Sequence, residues 1–153
     1  MDLILWRHAE ALDAEDGSQD LDRALTARGE RRAARMAHWL NQHLPATTRV
    51  LVSPARRSQQ TANALERKFK TVAVLAPGGT LPALLTAVRW PDAKEPVLVV
   101  GHQPTLGLVA AYLLAGVAQP WSVKKGALWW LRRRDRAGDD QTVLVTVRGP
   151  ENV

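Results

Sequence analysis

The sequence predicts an α/β sandwich: a mostly parallel central sheet of about six strands with helices on both faces. Three observations carry this. Six short apolar runs recur along the chain, several without polar alternation, as strands buried on both faces require. Between most of them lie stretches with helical period. The 153 residues contain no repeat, low-complexity tract or Pro/Gly/Ser linker, so residues 1–153 are read as a single domain with one sizeable core.

The first run is Leu3–Trp6. After it, Ala33, Met36, Ala37, Leu40 and Leu44 recur at helical spacing, with Arg31, Arg32 and Arg35 largely off that face and Thr26 as a fitting N-cap. Val50–Val52 is the second run, followed by a helix read through Ala62, Leu65 and Phe69. Thr71–Leu75 is the third, then a short helix around Leu81–Val88 before Pro91. Val97–Val100 is the fourth. The next helix carries Leu106, Val109, Ala110, Leu113 and Leu114 and stops near Gly116. Ala127–Leu131 and Thr142–Val147 are read as a hairpin joined by a charged Arg132–Asp140 turn, so at least one strand is antiparallel.

Composition narrows the function. With 46% apolar and 24% charged residues the chain is of ordinary globular type. No apolar run approaches the roughly 18–20 residues that span a bilayer, and MDLILWRHAEA does not read as a secretory signal, so a cytoplasmic location without a membrane partner is expected. The absence of cysteine excludes disulfides, a thiolate metal site and a cysteine nucleophile. The net charge is +6 and 16 of the 21 cations are Arg. It is unevenly spread: residues 1–22 carry seven acids and only Arg7 as a base, which leaves a strongly basic remainder. Such a body fits nucleic acid, an anionic substrate or simple solubility.

In open α/β sheets ligands bind beyond the carboxyl ends of the strands. Arg7-His8 follow the first run, Ser53-Pro54-Ala55-Arg56-Arg57 the second, and Gly101-His102-Gln103-Pro104 the fourth. Pro54 and Pro104 mark helix openings, whose N–H donors and positive dipole ends suit phosphate. Singly, each piece has a plainer reading. A strand-end histidine is more often a hydrogen-bonded structural residue, Arg7 could pair with the acidic 10–22 segment, and one of Arg56 and Arg57 is expected in solvent. Together, two imidazoles and two arginines at one sheet edge have no core-packing rationale. His38 and His43 lie about 140° apart around a helix and read as surface or packing groups.

Arg7-His8 after an N-terminal strand resembles the RHG signature of the histidine phosphatase superfamily, with Ala9 where glycine is usual. Leu25-Thr26-Ala27-Arg28-Gly29 is similar to its LTxxG segment, Ser53-Pro54 through Arg57, Gln60 and Thr61 to SPxxRxxQT, and Gly101-His102-Gln103-Pro104 to the second-histidine motif. The resemblance covers essentially the whole chain and, at this size, is greatest to the SixA type. It implies a phosphoglycerate mutase-like fold and a phosphohistidine phosphatase working without metal or cofactor. His8 would be the nucleophile, forming a phosphohistidine intermediate. Arg7 and Arg57 would clamp phosphate, with Arg57 chosen over Arg56 by the SPxxR frame, and His102 would donate to the phosphoryl oxygens. The implied partner is a phosphorylated protein, including a phosphotransfer signalling domain, or a small phosphorylated substrate.

These residue types suit that chemistry on their own. Neutral imidazole attacks phosphorus near pH 7, and covalent capture divides one hard displacement into two easier ones. Arginine binds phosphate oxygens in a bidentate fork, so catalysis is mostly positioning and charge stabilisation. The general acid is the gap. The only acids in Leu75–Pro96 are Asp92 and Glu95, at the wrong edge of the sheet. Either Glu10 or Asp13 reaches the site, or no dedicated acid exists, which suits a P–N substrate.

Three alternatives stand beside this reading: a phosphatase of small metabolites, a phosphomutase, and a non-enzymatic basic module binding a phospho-ligand or nucleic acid. Trp121, Lys124, Lys125, Trp129, Trp130 and Arg132–Arg134 mix aromatics and bases as nucleic-acid binders do. Buried tryptophans with a solvated basic turn is the plainer account, so nucleic acid is not the expected partner. Ser122–Gly126 placed beside the phosphate pocket would help hold an acidic partner.

Overall fold

Why the early strands lack polar alternation is explained by where they lie. The computed structural model describes residues 1–136 and 139–153. Its strands are β1 (Asp2–Arg7), β2 (Arg49–Val52), β3 (Lys70–Thr71), β4 (Val97–Gly101), β5 (Leu128–Arg136) and β6 (Asp139–Arg148). They form one sheet in the order β3-β2-β4-β1-β5-β6, with β1 to β4 parallel and β5 and β6 antiparallel. The pairing and layering are those of the α/β sandwich expected from the sequence.

Helices α1 (Ala27–His43) and α2 (Arg56–Asn63) cover one face, and α3 (Leu81–Val88) and α4 (Thr105–Ala115) the other. On β1, Ile4 and Trp6 join the first layer, while Leu3 and Leu5 join the second. All four are fully buried, and Leu3, Ile4 and Leu5 each contribute roughly 1.5–3 kcal/mol. Trp6 also donates from Nε1 to the Gly126 carbonyl at 3.0 Å, tying the core to the site edge.

The start of α1 shows local chemistry setting position. Thr26 caps the helix by accepting from Gly29 N–H at 2.9 Å. A Cβ on Gly29 would collide with the Glu10 carbonyl oxygen, so glycine is needed for the helix to lie against the segment leaving β1. Leu25 N–H is held by Gln60 Oε1 of α2 at 2.7 Å. At the other end of the fold, α4 stops at Gly116 in the left-handed region, as the sequence suggests.

Four expectations need correction. The third run is a strand only at Lys70–Thr71; Ala73–Leu75 is a 3-10 turn, because β2 ends at Val52 and offers an edge strand nothing further to pair with. Helix α2 stops at Asn63, so Leu65 and Phe69 pack beyond its end. Pro54 and Pro104 lie before the first helical residue, not within the first turn. Arg132–Asp140 is mostly strand: Arg132–Arg136 pair with Val143–Asp139, and only residues 137 and 138 fall outside the described residues. Among the described residues no helix is long and apolar enough to cross a membrane.

Candidate active site

Parallel registry brings the three motif segments together. Arg7 lies opposite Gly101, and Val52 opposite Val100, so His8, Ser53 and His102 leave adjacent strands at one edge. His8 N–H donates to the Gly101 carbonyl at 3.2 Å, and Ser53 N–H to the Val100 carbonyl at 3.0 Å. His8, Arg57 and His102 are 6%, 4% and 5% exposed, which is rare for such groups outside a built site.

The tautomer of His8 follows from its partner. Nδ1 lies 2.7 Å from the Ala9 carbonyl, which can only accept, so Nδ1 carries the proton and Nε2 presents a lone pair. Burial pushes its pKa down to about 4, helped by the charges of Arg57, Arg7 and Arg23 against the opposing pull of the Ala9 carbonyl. Ala9, buried in place of the usual glycine, donates its own N–H to Thr61 Oγ at 3.1 Å.

His102 is held from the SPxxR segment. Ser53 Oγ accepts from Ala55 N–H at 3.1 Å and lies 2.7 Å from His102 Nε2, with Ser58 Oγ 3.3 Å from the same nitrogen. His102 Nδ1 is engaged by no described residue. Burial pushes this pKa down to about 3, with His8 and Arg57 next in effect. The two rings face each other with centroids 5.2 Å apart.

Both arginines enter this edge. Arg7 donates from one terminal nitrogen to the Val123 carbonyl at 3.0 Å; burial, then the Arg57 charge, lowers its pKa without discharging it. Arg57 donates to the Asp20 carbonyl at 2.9 Å and pairs with the Asp20 carboxylate at 3.1 Å. Among the described residues the Nε–H of each arginine is buried with no partner, as is Arg49 Nη1 on β2. Two such donors at the edge that gathers the motif segments suit a bound oxyanion.

Asp20, in the 3-10 turn Asp20–Asp22, is the site residue that sequence reasoning misses. Burial raises its pKa, but hydrogen bonds from Arg23 and Arg57 bring it below the usual value. The two carboxylates considered from sequence lie elsewhere. Glu10 is engaged by Arg28 at 2.7 Å and Thr26 at 2.9 Å, which lower its pKa and make it a poor proton donor. Asp13 lies in an outer cleft with Arg23 and Arg56, and Arg56 is exposed. Also missed are Ser53 and Ser58, and Thr61, which donates to the Arg57 carbonyl at 2.7 Å while accepting from Ala9. All three hydroxyls sit within the SPxxRxxQT segment, which was the available signal.

The remaining candidates separate from the site. His43 bonds the Trp39 carbonyl and stacks on its indole at 4.0 Å, and His38 is exposed. Trp130 is buried and donates to Asp2, Arg132 pairs with Asp2 at 2.8 Å, and Arg133 pairs with Asp140. The aromatic and basic hairpin is therefore largely self-satisfied.

Comparison with known proteins agrees with this geometry. The family model for the histidine phosphatase superfamily (branch 1) matches residues 3–78. Phosphohistidine phosphatase SixA of Escherichia coli is 32% identical over 129 residues, covering 78% of each chain. The protein assigned as phosphohistidine phosphatase SixA in Nakamurella multipartitia superposes with a TM-score of 0.80 at 31% identity, over 97% of this chain and 95% of that one. A protein histidine phosphatase SixA complexed with tungstate superposes with a TM-score of 0.77 at 28% identity over 99% of both. With such relatives along nearly its full length, the chain belongs to the histidine phosphatase superfamily, branch 1, as a SixA-like phosphatase.

Proposed function

We propose that this chain removes phosphate from phosphohistidine in a protein, with His8 as nucleophile. The observation that carries the reading is a neutral imidazole with a free Nε2, beside two arginines whose buried Nε–H groups lack partners. The His8 Nε2 lone pair attacks phosphorus and the P–N bond to the substrate imidazole breaks. That imidazole departs neutral when its second ring nitrogen already carries a proton, so no dedicated acid is needed. Arg7, Arg57 and a ring N–H of His102 hold the equatorial oxygens as charge gathers on them. Water then attacks the phosphorus of phospho-His8, releasing inorganic phosphate and restoring the imidazole. The tungstate bound by a SixA relative is the oxyanion such a cradle would take. The engagement of Glu10 and the outer position of Asp13 favour a P–N over a P–O substrate.

A hydrolysis panel tests this: phosphoramidate and a phosphohistidine peptide against P–O esters and phosphoglycerates, with and without EDTA. The expected result is P–N turnover insensitive to EDTA, an acid-labile phosphate trapped on His8, and loss of turnover in His8→Ala. Full activity in His8→Ala, or activity confined to P–O esters, would overturn it.

A further inference from the structure

A groove of about 690 Å³ is lined by Arg7, and apart from that arginine none of its lining residues takes part in the phosphate chemistry. Its cations come from three elements: Arg7 at the end of β1, Arg32 on α1, and Lys124 and Lys125 in the loop before β5. Both lysines are exposed, and no described carboxylate pairs with either. The one acid in the lining, Glu151, is 85% exposed and stands 3.9 Å from Arg32, a loose contact of little energy. The lining also includes apolar surface, with Trp129 half-buried and Val147 exposed. Arg7 links groove and clamp directly, since its guanidinium donates to the Val123 carbonyl in the same loop as the lysines.

We propose that this groove docks an acidic stretch of the phosphorylated protein, next to the phosphohistidine that enters the site. The proposal rests on the reading above and names the partner surface. Cations beside apolar side chains complement an amphipathic acidic segment, and the charges come from separate elements instead of a single one. Nucleic acid fits less well. Stacking needs free aromatic faces, whereas Trp121 and Trp129 are half-buried against each other at 6.0 Å and Trp130 is buried.

The test compares two phosphohistidine peptides, one flanked by glutamates and one by serines, with phosphoramidate as the small substrate. Wild type is expected to prefer the glutamate peptide in kcat/KM by about tenfold at low salt, and the preference should fall as salt rises. In Lys124→Glu/Lys125→Glu, and separately in Arg32→Glu, the preference should shrink towards parity or reverse while phosphoramidate turnover stays within about twofold of wild type. A preference absent from wild type, or one that survives in both variants, would overturn the proposal. Anisotropy of a labelled, unphosphorylated glutamate peptide separates the two readings. Wild type hydrolysing neither phosphopeptide defeats the phosphohistidine reading, while binding of the glutamate peptide still decides the groove. Tighter binding of a single-stranded oligonucleotide than of that peptide, lost in the same variants, would also overturn the proposal.

Discussion

His8 and His102 stand with their rings 5.2 Å apart and inclined by 51°, both neutral by burial. Both titrate near 6.5 in the unfolded chain and at about 4 and about 3 in the folded one. Between those values the unfolded chain binds more protons, so stability rises with pH across the window. Urea denaturation should therefore show stability complete above pH 6.5 and falling progressively towards pH 3. His102→Asn should flatten part of that slope, and a slope unchanged by the substitution would contradict the assignment.

The Asp20 carboxylate occupies the Arg57 guanidinium that is proposed to grip phosphate. It is half exposed, so the pair is partly screened and can yield to a stronger anion. Asp20→Asn is expected to tighten inorganic phosphate binding about three- to tenfold by removing a competing negative charge. Arg57→Ala should abolish most of the phosphate-induced rise in Tm. Calorimetric titration and thermal shift with phosphate read both effects.

Thr61 joins Ala9, beside the proposed nucleophile His8, to Arg57 through a single hydroxyl. Thr61→Val keeps the shape but leaves the Ala9 N–H buried and unpaired, so kcat/KM is expected to fall by about ten- to a hundredfold. Thr61→Ser should restore most of it. A circular dichroism spectrum like wild type, together with that rescue, would distinguish positioning from unfolding.

Gly29→Ala tests packing against propensity. Helix propensity alone favours alanine by about 1 kcal/mol. The collision with the Glu10 carbonyl predicts the opposite sign, a loss of about 1–3 kcal/mol. The neighbouring exposed Ala27 offers a control: Ala27→Gly should cost less, and urea midpoints compare them directly.

The residues legible in the sequence were those whose meaning is local. His8 and His102 each follow within two residues of an apolar run, and parallel pairing sets those strand ends at one edge, whereas Arg57, on the helix after the second run, is singled out from Arg56 only by the SPxxR frame. Asp20 was not legible because its bond to Arg57 spans 37 residues, and an acidic segment does not state which carboxylate turns inward. The hairpin is legible, but the extent of its turn is not, for a related reason. Charge reads as turn, but β1 pairs with β5 only as far as Arg132, and beyond it β5 and β6 form a two-stranded ribbon with no third strand beside it. Arginines are tolerated in such a ribbon. The third run failed at a boundary fixed by its neighbour, since β3 could extend no further than the four residues of β2 allowed.

Placing β1 between β4 and β5, with its backbone paired on both sides, has a kinetic consequence. Amide protons along Leu3–Arg7 should be among the last to exchange with deuterated solvent, because releasing them requires global unfolding. The Asp20–Asp22 turn, exposed and without any buried residue, can open at small cost. Opening of that turn leaves β1 in place, and His8, which follows it directly, stays anchored to a strand paired on both sides.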